Sequence, residues 1–77
     1  MATFKQLRTE AEKHNAELVI DRVFGRAEAW LPESEQWDST MASCIVVDYG
    51  YIGSGVMSLI YDDLIQDMSA GSYWKGE

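Results

Sequence analysis

Candidate core positions near the N-terminus recur at three- and four-residue spacing, which is the period of one face of a helix. These positions are Phe4, Leu7, Ala11 and His14. Thr3 followed by Gln6 has the form of a capping box. Asn15 readily adopts the left-handed conformation that ends a helix. The pattern therefore predicts a first helix over 4–14.

After this helix, apolar and polar positions alternate, as in a strand with one buried face. The alternation predicts a first strand over 16–23, a turn at Phe24 and Gly25, and a second strand that Pro32 ends because proline lacks a backbone donor. The side chains predicted to face the helices are Leu18, Ile20, Ala27, Ala29 and Leu31. The opposite face would display Glu17, Val19, Asp21, Val23, Glu28 and Trp30.

Residues 33–43 have no clean period and are predicted to form a loop. The β-branched and aromatic residues of 44–51 predict a third strand, which the glycines of 50–55 interrupt. A second helical period follows and closes at Gly71. Its apolar positions are Met57, Ile60, Tyr61, Leu64 and Met68.

The resulting element order is α-β-β-β-α. It predicts an α+β fold in which a three-stranded antiparallel sheet carries both helices on one face. Seventy-seven residues form a single domain, because chains of this size bury only about 60 % of their unfolded surface and do not support a second core. Residues 72–77 are predicted to form a flexible tail, with Tyr73 and Trp74 folding back onto the core as the alternative.

Charge is polarised along the sequence. The chain has six basic and thirteen acidic residues and a formal net charge of -7, and positions 27–74 contain eight carboxylates but no lysine or arginine. Such a balance disfavours direct binding to nucleic acid or to anionic membranes. It favours attraction to basic protein surfaces. The alternative is that the acids only keep a small domain in solution.

The predicted partner-binding residues combine these acids with a tryptophan. Trp37 lies between Glu35 and Asp38 in the predicted loop, and tryptophan often anchors an interface while surrounding charges set orientation and rate. The full predicted set is Glu33, Glu35, Trp37, Asp38, Asp62, Asp63 and Asp67. Trp30 on the outer sheet face is a second candidate, or else it packs across strands.

Enzymatic and cofactor chemistry have little support in the sequence. The glycines of 50–55 match neither a P-loop nor a dinucleotide-binding fingerprint. Cys44 is predicted to be a small buried hydrophobe rather than a nucleophile activated by His14. Asp62 and Asp63 diverge by about 100° around a helix, and no calcium-loop pattern is present. The chain is therefore predicted to be non-enzymatic, with no cofactor and no metal.

The sequence also predicts a cytoplasmic location. Its single cysteine cannot form an internal disulfide, and its first residues carry no apolar run resembling a secretion signal. No apolar run approaches the roughly 20 residues that cross a bilayer. A membrane-spanning protein is not expected.

Two resemblances bear on function. The α-β-β-β-α order resembles that of double-stranded-RNA-binding domains, but the start of the second helix, Ser54-Gly55-Val56-Met57-Ser58, lacks the lysines of that family. In size, acidity and lack of catalytic motifs, the chain is similar to small phage-encoded anti-CRISPR proteins. That similarity implies an inhibitor that imitates DNA and occupies a basic channel of a CRISPR effector.

Two alternatives remain open at the level of sequence. One is a structural or regulatory module that forms a homodimer through the outer sheet face. The other is an immunity or antitoxin-type inhibitor of a basic nuclease. The expected partner is thus a basic protein surface, and the chain is expected to be a monomer or a homodimer.

Overall fold

The predicted order of elements is confirmed. In a computed structural model, described for residues 1–32 and 44–70, helix α1 is followed by an antiparallel sheet and by helix α2. The elements are α1 Phe4–Lys13, β1 Glu17–Asp21, β2 Arg26–Trp30, β3 Cys44–Asp48 and α2 Val56–Ala70. The predicted loop 33–43 and the predicted tail 72–77 lie outside the described residues.

Helix α1 begins and ends as its sequence predicts. Both halves of the capping box form, since the Gln6 amide donates to Thr3 Oγ1 at 3.2 Å and the Thr3 amide donates to Gln6 Oε1 at 2.9 Å. The helix ends at Lys13, one residue before the predicted end, with His14 as its C-cap, and Asn15 takes a left-handed φ of 54°. The chain thereby turns from α1 directly into β1.

The strands pair in the order β1-β2-β3, and both pairings are antiparallel. Strand β1 is shorter than the predicted 16–23, because Asp21 Oδ1 accepts hydrogen bonds from the Val23 and Phe24 amides at 2.9 and 3.0 Å. These hydrogen bonds to a side chain take the place of further backbone pairing between β1 and β2. Val23 consequently lies in the β1–β2 turn rather than on the outer sheet face as predicted.

Both helices cover the same face of the sheet, as predicted. Helix α2 packs on β2 and β3, α1 packs on β1, and the two helices pack on each other. On β2, Ala27 and Ala29 are fully buried beneath them. The largest fully buried side chains are Leu7, Ile45, Ile60, Leu64 and Met68. Since successive strand residues point to opposite faces, this core also fixes which residues face away from the helices.

A close backbone contact joins the two loops at one end of the sheet. The Tyr49 amide donates to the Gly25 carbonyl at 2.8 Å, and a Cβ at Gly25 would lie only 2.0 Å from the Tyr51 carbonyl oxygen. Gly25 has a φ of +68°, and Gly50 has a φ of +75°. Strand β3 accordingly ends at Asp48, before the predicted Tyr51.

We predict that Gly25→Ala lowers the free energy of unfolding by clearly more than about 1 kcal/mol, because it adds a steric clash to an unfavourable φ. Gly50→Ala is the matched control, since its φ is also positive but nothing lies within 4 Å of its Cβ position. Urea denaturation of both variants measures the difference. Equal losses would show that backbone conformation alone, and not the contact with Tyr51, makes Gly25 necessary.

Candidate functional site

The sheet presents one face away from the helices. We define this outer sheet face by the alternate strand residues that point away from the core. Among the described residues, no helix or strand lies over it. Its members are Glu17, Val19, Asp21, Arg26, Glu28, Trp30, Cys44, Val46 and Asp48.

Strand register arranges these side chains in three cross-strand rows. The row nearest the β1–β2 turn is Asp21, Arg26 and Asp48. The middle row is Val19, Glu28 and Val46, and the far row is Glu17, Trp30 and Cys44. The face therefore holds four carboxylates and one guanidinium beside exposed apolar side chains.

A hydrogen-bonded chain runs along the centre of the outer sheet face. Arg26 Nη1 donates to Asp48 Oδ2 at 3.2 Å, and Arg26 Nη2 donates to Glu28 Oε2. The other oxygen of Glu28, Oε1, accepts from the Trp30 indole Nε1 at 2.7 Å. The Glu28 carboxylate thus bridges a guanidinium and an indole, and it fixes the orientation of both.

The same chain shifts two pKa values. The hydrogen bonds from Arg26 and then from Trp30 hold the pKa of Glu28 below its usual value, while those to Glu28 and Asp48 raise the pKa of Arg26. Two acids of the segment 27–74, Glu28 and Asp48, therefore have a basic partner. Arg26 comes from just before that segment, and strand pairing brings it against two of the carboxylates.

Trp30 is 43 % exposed even though its indole nitrogen is bonded. It lies between Glu17 and Cys44 across the strands, so its polar edge is fixed while much of the ring remains accessible. An oriented, accessible tryptophan is the arrangement typical of an interface anchor.

Cys44 is half-buried on the outer sheet face and is not part of the buried core. Its neighbour Ile45 points inward, which puts the thiol on the opposite side of the sheet from α1 and His14. Burial, and then the charge of Glu28, raise the pKa of the Cys44 thiol. His14 contacts Glu10 instead, at 3.1 Å. The structure brings together no nucleophile and base here.

The three predicted acids of α2 are divided between two surroundings. Asp63 accepts a hydrogen bond from the Tyr49 hydroxyl at 2.7 Å, which raises the pKa of Tyr49. Burial, and then the charge of Asp63, raise the pKa of Asp67. Asp62 instead lines a groove of about 540 Å³ between α1 and α2, together with Lys5 and Lys13. All three aspartates are half-buried.

The other predicted partner-binding residues, Glu33, Glu35, Trp37 and Asp38, lie outside the described residues. The sequence did not predict that Arg26 belongs to this site. Arg26 and Glu28 are two residues apart in an alternating segment, and this spacing puts both on one face of a strand. The contact between Arg26 and Glu28 could therefore have been predicted from the sequence, whereas the contact with Asp48 depends on the register of β2 and β3.

Within residues 1–32 and 44–70, no group of three or more His, Cys, Asp or Glu side chains is arranged to hold a metal ion. In the same part of the chain, no helix has the length and apolar character needed to cross a membrane. No protein-family model, no curated protein and no solved structure matches the chain.

We predict that Asp67→Asn raises the free energy of unfolding at pH 7 by less than about 1 kcal/mol, because it removes a carboxylate whose charged form the fold disfavours. The folded-state pKa of Asp67 is raised, so the folded protein binds the proton more tightly than the unfolded chain does. The stabilisation from the protonated form is present below the ordinary aspartate pKa, about 3.9, and is lost as the pH rises through the folded-state pKa.

Urea denaturation of the native chain and of the variant at pH 7 and at about pH 3 checks this, because position 67 is largely neutral in both proteins at the lower pH. The asparagine variant should gain stability at pH 7 relative to its behaviour at pH 3. A variant that is destabilised equally at both values would contradict the prediction.

Proposed function

We propose that this domain is a non-enzymatic inhibitor that occupies a basic, nucleic-acid-binding surface of a partner protein. The observation that carries the proposal is the outer sheet face, where four carboxylates surround one arginine and no described helix or strand covers them. The proposal includes a cytoplasmic location, where such partners act.

Electrostatics supports a basic partner. The positive charge of Arg26 is engaged by Glu28 and Asp48, so it offers little attraction to an incoming anion. Glu17 and Asp21 add their charges on the neighbouring edge strand. With a net charge of -7 behind it, this face would accelerate encounter with a basic surface and repel nucleic acid.

The apolar part of the face supports a protein partner. Val19, Val46 and the ring of Trp30 are exposed beside the carboxylates, and removal of a tryptophan anchor commonly costs about 2 kcal/mol or more of binding energy. Because Glu28 already orients the indole, little side-chain freedom would be lost on binding. Charges would set the approach, and Trp30 would supply much of the affinity.

The similarity to small acidic anti-CRISPR proteins suggests a CRISPR effector channel as the target, with a basic nuclease as the related alternative. In both cases the carboxylates would take the place of phosphates. Glu33, Glu35, Trp37 and Asp38 remain partner-binding residues predicted from the sequence.

Charge reversal distinguishes the two candidate acidic surfaces. We predict that Glu17→Lys with Asp48→Lys weakens binding to protamine, a defined basic probe, at least tenfold. Asp62→Lys with Asp67→Lys changes the net charge equally but should weaken it less, because those acids are half-buried and Asp62 lines a groove that Lys5 and Lys13 also line. Fluorescence anisotropy measures both affinities, and thermal unfolding confirms that each variant folds.

Salt provides the second measurement. Affinity of the native chain should fall steeply between about 50 and 200 mM salt, as it does for complexes that pair many charges. An affinity that does not depend on salt would contradict the proposal. A larger loss in the α2 variant would move the binding surface to α2.

A homodimer through the outer sheet face is the second candidate. The exposed Val19, Trp30 and Val46 favour it, because apolar side chains exposed on one face are typical of interfaces. The four carboxylates on each face oppose it, since two copies would bring like charges together.

We therefore expect a monomer in sedimentation equilibrium at low salt, with Trp30→Glu leaving the mass unchanged. A concentration-dependent dimer that Trp30→Glu abolishes would establish the second candidate instead.

A further inference from the structure

Four large apolar side chains project from two adjacent loops at one end of the sheet. We define them as the apolar tip: Val23 and Phe24 in the β1–β2 turn, and Tyr51 and Ile52 after β3. Their exposed fractions are 74 %, 65 %, 57 % and 45 %. The close approach of Gly25 to the Tyr51 carbonyl brings the two loops together.

The apolar tip is held in place by hydrogen bonds. The Asp21 carboxylate accepts from the amides of both turn residues, Val23 and Phe24. The second loop is fixed by the bond from the Tyr49 amide to the Gly25 carbonyl and by the ring contact of Tyr49 with Tyr51, whose centroids are 6.4 Å apart. Little conformational freedom would therefore be lost if the tip bound a partner.

Folding alone does not account for these side chains. Turns favour Gly, Pro, Asn, Asp and Ser, whereas this turn has Val and Phe at its centre. Exposed apolar area forgoes roughly 25 cal/mol for each Å² that burial would remove from water. Three of the four tip side chains are more than half exposed, and Ile52 is nearly so. A rigid, exposed apolar patch of this kind marks an interaction site.

The charges around the tip indicate what it would contact. Arg22 donates to the Tyr61 hydroxyl at 3.1 Å and lies 5.6 Å from the Phe4 ring centroid, and Arg26 is paired with Glu28 and Asp48. Both nearby cations are thus engaged within the chain. The adjoining row of the outer sheet face, Asp21, Arg26 and Asp48, has two carboxylates and one guanidinium, so the charge beside the tip is net negative.

We infer that the apolar tip inserts into an apolar pocket bordering the basic surface of the partner, so that its acidic neighbours meet the cations at the rim. This inference rests on the proposed function and adds an anchor at the end of the outer sheet face. Acids would guide the approach, and burial of the tip would slow dissociation.

Two synthetic peptides test the inference. One is a helical peptide of leucine and lysine, which presents an apolar surface bordered by cations, and the other is an oligolysine with the same number of lysines. The native chain should bind the leucine-containing peptide about tenfold more tightly. Val23→Ser with Phe24→Ser should remove most of that preference, and binding of oligolysine should be unchanged.

Leu59→Ser is the matched control for Ile52→Ser, because Leu59 is 46 % exposed, close to the 45 % of Ile52, but lies on α2 outside the tip. It should retain the preference for leucine. Ile52→Ser provides a second tip variant that leaves the β1–β2 turn intact, and it should reduce the preference by a smaller factor. Thermal unfolding shows whether each variant is folded.

The possible failures are distinguishable. If neither peptide binds the native chain, the proposed function is wrong. If both peptides bind and the preference for leucine survives in the folded tip variants, the tip inference is wrong. If the native chain binds neutral phosphatidylcholine vesicles and the tip variants do not, the tip contacts a lipid surface instead of a partner pocket. If the native chain self-associates in sedimentation equilibrium and the tip variants do not, the tip contacts a second copy of the chain.

Discussion

The packing of α2 against the inner faces of β2 and β3 is the interaction on which the other features depend. Ile60, Leu64 and Met68 are fully buried in this contact region. The small side chains of Ala27 and Ala29 allow the helix to lie close to the sheet. Because Ala27 and Ala29 face the helices, the alternation along β2 places Arg26, Glu28 and Trp30 on the outer sheet face. The composition of the outer sheet face is therefore a consequence of which residues the core contains.

Local signals in the sequence predicted the elements well, and predicted their ends less well. The capping box at Thr3 and the left-handed Asn15 act within one turn of chain, so the limits of α1 could be read directly. The end of β1 could not, because the Asp21 side chain competes with the strand ladder for the Val23 and Phe24 amides. Such competition depends on a rotamer and has no periodic signature.

The candidate site was predicted in part. The sequence indicated an acidic surface and an outer sheet face containing Trp30, because both follow from residue type and alternation. It did not indicate that Arg26 would join Glu28 to Asp48, since that contact depends on the register of two strands. It also grouped Asp62 with Asp63, although Asp62 lines the groove between α1 and α2 and Asp63 accepts a hydrogen bond from Tyr49.

The arrangement of β1 and β3 has a consequence for self-association. In the described part of the chain, each of these strands pairs on one side only, with β2. Strands of this kind invite stacking of sheets edge to edge, and charged side chains discourage it. Glu17 and Asp21 on β1 and Asp48 on β3 are charged side chains of this kind. A substitution that neutralises them would therefore remove a protection against self-association through the strand edges.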